Sequence, residues 1–391
     1  MPGGIYLDHN ATTPVDPRVR AAMLPYLDEL FGNASSVEHA HGHAAGQAVD
    51  KARQQVADAI GARPNEILFT SGCTEANNIA LLGVARANPD KRHIVTSAIE
   101  HAAVLEPCRA LEREGWRVTV LSVDEAGRVD LDALAASLCD DTALVSIMAA
   151  NNEVGTRQPI AEIGAICAQR DILFHCDAAQ IGAYGLLDVE RDDVHLASLS
   201  AHKAYGPKGI GALYIRSRRP RVRLAPIVFG GGQERGLRPG TLNTPAIVGM
   251  GEAMALAARQ GRDDAERLGR MVAQMRARFE ASISGVLFNG DPERRIANNL
   301  SMSIPGVEPL ALIRRLREEI SFSASSACAT EKIETSPVLV AMFGDSARAR
   351  GAFRLSPGRF TTEKEMDRAT DLVIAESNRL AGSPPVVAAT A

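Results

Sequence analysis

The sequence predicts an α/β protein organised on a mainly parallel sheet, with a smaller α+β unit attached. Three observations carry that expectation. Short, continuously apolar runs alternate with helical stretches over residues 67–215. Strands of that kind are covered on both faces. Residues able to do chemistry (Thr74, His101, Asn152, Asp177 and Lys203) each fall just after such a run, where ligands of open parallel sheets bind. After Thr241 the texture changes to a long helical region and then short mixed elements. At 391 residues the chain exceeds one ordinary core, so a large and a small domain are expected.

Taken in order, residues 6–14 read as a short extended entry followed by turn chemistry. Asp16 and Pro17 cap a helix expected to reach about Leu30, with proline at its first position. Residues 32–36 form a loop and 43–60 an amphipathic helix. Ile67–Thr70 is an apolar strand; the small-residue turn Ser71-Gly72-Cys73-Thr74-Glu75 and a helix over 76–87 follow it. That order makes either an anion site, with free amides and the helix dipole aimed at one spot, or simply a tight turn. The alternation continues with strands at 93–96, 117–121, 143–148 and 172–176, and helices at 102–114, 130–138 and 159–170. Strand-like runs at 194–199 and 210–215 flank Lys203. Beyond a helix over about 245–283 come a strand at 299–304, a helix at 309–319, a small-residue loop at 321–330 and a helix from Thr362. The large domain is expected over 15–260, the small one over 1–14 and 261–380, and a disordered tail over 381–391.

Composition excludes several classes. The net charge of −4 argues against a general nucleic-acid-binding surface. The one basic cluster has five arginines within 216–223 and reads as a solvated loop after a strand in preference to a docking patch. No run approaches the roughly 18 apolar residues of a membrane helix, so a soluble, cytoplasmic protein without membrane or direct nucleic-acid partners is expected. Six cysteines (73, 108, 139, 167, 176, 328) lack Cys-x-x-Cys spacing, which fits neither a disulfide framework nor a zinc site, and no metal is expected.

Lys203 stands between two apolar runs, after Ser200-Ala201-His202 and before Gly206-Pro207-Lys208-Gly209. A lysine so placed is either a solvated charge or a partly buried amine. Burial lowers an amine's pKa and makes it a usable Schiff-base partner. An aromatic cofactor with a phosphate, a ring nitrogen and an aldehyde would use its neighbours. Asp177 ends a strand and is either a turn residue or a carboxylate that keeps a ring nitrogen protonated. Gln180, three residues on, can reach a ring hydroxyl. Thr74, Ser200 and His202 can donate to a phosphate. His101 is either structural or a ring-stacking acid and base.

The assembled motifs resemble those of the cysteine desulfurases, pyridoxal-phosphate enzymes of the class V aminotransferase group. They include Tyr-Leu-Asp-His-Asn-Ala-Thr-Thr-Pro at 6–14, Phe-Thr-Ser-Gly-Cys-Thr-Glu at 69–75, Glu-His-Ala-Ala-Val at 100–104 and Asn-Asn-Glu-Val-Gly at 151–155. They continue with His-Cys-Asp-Ala-Ala-Gln at 175–180, Ser-Ala-His-Lys at 200–203, Arg-Pro-Gly-Thr at 238–241, Ser-Ser-Ala-Cys at 325–328 and Arg-Leu-Ser-Pro-Gly-Arg-Phe at 354–360. They span nearly the whole chain.

The resemblance implies an aspartate-aminotransferase-like fold with a seven-stranded sheet, pyridoxal 5'-phosphate as cofactor, and conversion of L-cysteine to L-alanine. It implies that Lys203 holds the cofactor and moves the substrate's α-proton, while Asp177 meets the ring nitrogen and Gln180 the ring hydroxyl. Asn152 is implied beside the cofactor and the substrate carboxylate, and His101 on the ring. Cys73 (through its backbone alone), Thr74, Ser200 and His202 are implied to bind phosphate. Thr241 would reach the phosphate of a neighbouring subunit, so a homodimer is implied; Arg354 would clamp the substrate carboxylate. Cys328 would take the sulfur as a persulfide for an acceptor protein: an iron–sulfur scaffold, a transfer-RNA thiolation enzyme or a DNA-sulfur-modification protein.

The setting of Cys328 agrees with that role. It lies among small and hydroxyl residues at 321–330, whereas Cys167 and Cys176 sit in apolar runs. A free thiol is only about 3% thiolate at pH 7, so attack on sulfur needs a nearby base or cation. Two departures stand out: Cys73, where the family commonly has glycine or alanine, and the charged pair Glu331-Lys332 after Cys328. The rival readings are a selenocysteine lyase or another class V aminotransferase, an idle sulfur-delivery scaffold, and a nicotinamide dehydrogenase. No Gly-x-Gly-x-x-Gly opens the first strand–helix unit, which argues against the last.

Overall fold

The computed structural model describes residues 4–219, 221–324 and 335–382. The chain enters through β1 (Ile5–Tyr6), then α1 (Pro17–Met23), α2 (Pro25–Asp28) and α3 (Ala40–Ala59). The single helix expected from Pro17 to about Leu30 is broken at Leu24, because Pro25 cannot donate the next helical hydrogen bond. Asp16 caps α1 as expected. α3 starts a turn earlier than its apolar pattern suggests, since the His39 ring caps it by accepting Gly42 N–H.

The central layers follow as β2 (Ile67–Thr70), α4 (Cys73–Ala87), β3 (His93–Ser97), α5 (Ala102–Arg113), β4 (Arg117–Leu121), α6 (Leu131–Ser137), β5 (Thr142–Ser146), α7 (Ile160–Ala168), β6 (Leu173–Asp177), β7 (Leu196–Ser200) and β8 (Gly211–Ile215). Among the described residues these seven strands form one sheet in the order β2-β8-β7-β6-β5-β3-β4. Five of them are parallel neighbours, but β8 runs antiparallel to both β2 and β7. β2, β3, β5, β7 and β8 are buried along their whole length, as apolar strands between helical layers must be. The exposed edge of β2 is closed by side chains: Glu234 accepts Phe69 N–H at 2.8 Å, and Arg53 donates to Ile67 carbonyl at 2.9 Å. The arginine cluster is only partly solvated; Arg216 is buried against Asp193.

α8 (Thr244–Ser282) spans about 58 Å at 1.5 Å per residue and packs along α3. Gly251 allows the close approach, because a Cβ there would lie 2.6 Å from Ala52 Cα. The expected domain boundary at 260 falls inside this continuous helix. The chain continues through β9 (Leu287–Asn289), β10 (Leu300–Ser303), α9 (Pro309–Leu316), β11 (Ile320–Ser321), β12 (Ser323–Ala324), α10 (Pro337–Phe343), α11 (Ala347–Arg350), β13 (Ala352–Leu355) and α12 (Glu363–Ala381), and four of these strands form a second sheet. Its order is β12-β13-β10-β9, all antiparallel. β11 pairs instead with β1 in parallel, tying the N-terminus to this unit. The loop expected from residue 321 therefore begins with two short strands. The expected tail at 381–391 begins in α12, which includes Ala381; residues 383–391 lie outside the described ones.

Candidate active site

The carboxyl ends of β2, β3, β5, β6 and β7 open onto one cavity of about 520 Å³. Cys73, Thr74, His101 and Asn152 line it, as do Asp177, Gln180, Ser200, His202 and Lys203. Of the predicted site residues, Arg354 and Thr241 do not line it, and Cys328 lies outside the described residues. Arg354 stands behind Asn152, donating Nη1 to its carbonyl at 2.7 Å. Thr241 is exposed, on the segment before α8.

One end of the cavity is built for an anion. Gly72 precedes α4 with φ +156°, and among the described residues no side chain caps the helix, so first-turn amides are available to a ligand. Ser200 Oγ is buried nearby without a partner among the described residues. His202 Nδ1 lies 3.1 Å from Thr12 Oγ1. Burial, then Lys203 and Lys208, push the His202 imidazole down to about 4, so it serves as a neutral ring.

The other end is built for a cationic ring. Asp177, 6% exposed, accepts Asn77 Nδ2 at 2.7 Å and Ala179 N–H at 3.0 Å. The Cys73 side chain also faces it, with Sγ 3.4 Å from Oδ1, so Cys73 contributes more than the backbone expected of it. Gln180 Nε2 donates to Asn10 carbonyl at 3.1 Å, and Lys203 Nζ donates to the same carbonyl. Burial, and secondarily Arg354, bring the Lys203 amine down to about 8. His101 Nδ1 accepts Ala103 N–H at 3.0 Å, which leaves Nε2 as the protonated nitrogen of the neutral ring. The preceding residue, Glu100, is pushed up to about 8 by burial.

These residues fit pyridoxal phosphate. An uncapped helix end and an orphaned buried hydroxyl suit a phosphate, a buried amine suits an aldehyde, and a buried carboxylate suits a ring nitrogen. Sequence reasoning missed Asn10, Asn77 and Asp8. Asn10 and Asp8 carried no separate signal inside their motif. Asn77 had one: a polar residue among Ala76, Ile79 and Ala80 on the buried face of α4.

Among the described residues no helix is long and apolar enough to cross a membrane. The family model for class V aminotransferases matches residues 5–369. A cysteine desulfurase named IscS from Anaeromyxobacter sp. (strain Fw109-5) is 47% identical, covering 98% of this chain and 94% of that protein. The Mus musculus cysteine desulfurase is 46% identical, covering 98% and 83% respectively. A structure described as a NifS-like protein superposes with a TM-score of 0.89 at 38% identity, covering 96% of this chain and all of the other.

Proposed function

Because this chain belongs to the class V aminotransferase family, as a pyridoxal-phosphate-dependent cysteine desulfurase that converts L-cysteine to L-alanine and passes the sulfur on, we propose which of its residues carry each task. When bound, the cofactor supplies an electron sink for charge developing at the substrate's α-carbon. Lys203 anchors it and moves the α-proton at Nζ. With the amine near 8, about a tenth of it is neutral at pH 7, far more than for a solvated lysine. Asp177 holds the ring nitrogen protonated, and Gln180 meets the ring hydroxyl. The amides of Cys73 and Thr74, with Ser200 and neutral His202, hold the phosphate. His101 stacks on the ring and assists proton transfer through Nε2.

Asn152 and Arg354 receive the substrate carboxylate. Arg354 Nε is buried with no partner among the described residues, which leaves a donor for it. Cys328 takes the sulfur as a persulfide and hands it to an acceptor protein: an iron–sulfur scaffold, a transfer-RNA thiolation enzyme or a DNA-sulfur-modification protein. The enzyme works in the cytoplasm as a homodimer, Thr241 of each subunit reaching the other's phosphate site. Residues 15–260 act as the cofactor-binding domain; 1–14 and 261–380 carry Arg354 and Cys328.

What supports this reading most is the buried Lys203 amine in the same cavity as the triply held Asp177 carboxylate and the uncapped end of α4. Cys328→Ser tests the sulfur step. The variant is expected to keep cofactor colour and lose sulfide release from L-cysteine by about a hundredfold or more. Full sulfide release with a thiol reductant present would remove Cys328 from the mechanism.

A further inference from the structure

Two side chains one helical turn apart grip Asp177 from a single helix. Cys73 opens α4 and Asn77 follows four residues later, so both lie on one face. They divide the carboxylate between them. Asn77 Nδ2 donates to Oδ2 at 2.7 Å, while Cys73 Sγ lies 3.4 Å from Oδ1, the oxygen that also accepts Ala179 N–H. With a donor on each oxygen, the carboxylate cannot turn about its Cβ–Cγ bond without losing contacts.

Asn77 is placed there at a cost. It is 1% exposed. A carboxylate only accepts, so the amide must present Nδ2, and Oδ1 is left buried with no partner among the described residues. Stability alone would favour an apolar residue at such a position on α4, since an unpaired buried acceptor is destabilising. Cys73 is held as a neutral thiol: burial, then the Asp177 charge, push it well above its usual range. It serves as a donor, and a protonated thiol is not the nucleophile that sulfur transfer needs.

We propose that Asn77 and Cys73 are positioning residues that fix the Asp177 carboxylate in the orientation in which it meets the cofactor's ring nitrogen. The proposal rests on the reading of Asp177 given above. α4 would then set both ends of the cofactor, its first amides taking the phosphate and the side chains of Cys73 and Asn77 aiming the carboxylate.

The test reconstitutes apo-protein with pyridoxal phosphate for the unmodified chain and for Asn77→Ala, Cys73→Ala, Cys73→Ser and Asp177→Asn. It reads the dissociation constant, the pH midpoint of the visible band and the unfolding midpoint of the apo-protein. Asn77→Ala is expected to weaken cofactor binding about tenfold, the scale of one hydrogen bond to a charged group. It should move the spectral midpoint toward that of Asp177→Asn and change the apo-protein's unfolding midpoint little, because the loss of the orphaned Asn77 Oδ1 offsets the loss of a donor to Asp177 Oδ2. Cys73→Ala should weaken binding about two- to threefold, and Cys73→Ser should restore it. Should Asn77→Ala fail to fold, the Cys73 pair carries the same test.

Unchanged affinity and midpoint in Asn77→Ala and Cys73→Ala, with both shifted in Asp177→Asn, overturn the proposal. A lower apo-protein stability in Asn77→Ala without a spectral shift makes the residue structural and also overturns it. An unperturbed Asp177→Asn would instead remove the ring-nitrogen reading on which it rests.

Discussion

Asp8 and Arg354 are 346 residues apart in the chain and 2.6 Å apart in the structure. The other Asp8 oxygen accepts Ser323 Oγ at 2.8 Å, and Ser323 is the register partner of Arg354 across β12 and β13. One carboxylate from the entry segment therefore fixes the arginine proposed to receive substrate. Arg354 is 5% exposed, so Asp8→Ala strands a buried charge. The expected loss is about 3–5 kcal/mol in urea unfolding of the apo-protein. Ser323→Ala should cost only about 1 kcal/mol. Asp8→Asn should fall between the two, since it keeps an acceptor for Ser323.

The Lys203 amine is lowered from 10.5 to about 8, chiefly by burial. Between those values the unfolded chain binds the extra proton, so this group's contribution to stability rises as pH climbs from 8 to 10.5 and is a penalty below 8. Lys203→Met apo-protein should be more stable than the unmodified protein at pH 7, by a margin that shrinks toward pH 10.5. Thermal unfolding across that range checks it. The rate at which apo-protein captures pyridoxal phosphate should likewise rise with an apparent pKa near 8.

Glu100 has the opposite slope. Burial raises its carboxyl from 4.5 to about 8. Here the folded chain binds the extra proton, so stability falls as pH rises through the window from 4.5 to 8. One oxygen accepts Ser97 Oγ and Met148 N–H, while the other is buried without a partner among the described residues. Glu100→Gln, which removes the titration, should flatten the pH dependence and leave the protein more stable than the parent at pH 8 and above.

Thr241 is exposed and away from the cavity of its own chain. If it serves a second subunit, Thr241→Ala should weaken cofactor binding about tenfold. At a cofactor concentration that leaves Thr241→Ala alone largely unloaded, mixing inactive Lys203→Ala subunits with Thr241→Ala subunits should give about a quarter of full activity, since random pairing gives half hybrids with one intact site each. Activity that never exceeds the mean of the two parents would place Thr241 outside the neighbouring site.

Much of this was legible in the chain because the signals were local. Unbroken apolar runs marked the strands of the large sheet, and the residues just beyond them became the cavity wall, as the geometry of parallel sheets requires. Relations set by tertiary pairing were not legible. The run at 210–215 looks like its neighbours, yet β8 lies antiparallel, because direction depends on how the chain returns. β12 and β13 are too short for periodicity to mark, although Arg354 depends on them. Nothing local marks the Cys73 thiol, since its aim at Asp177 follows from the start of α4 lying beside the end of β6.

The most direct test of the account is the product balance from L-cysteine with a thiol reductant, for the unmodified enzyme and for Lys203→Ala. Equimolar L-alanine and sulfide from the former, and neither from the latter, is the predicted result. Loss of the amino group to a keto acid, or continued turnover by Lys203→Ala, would contradict it.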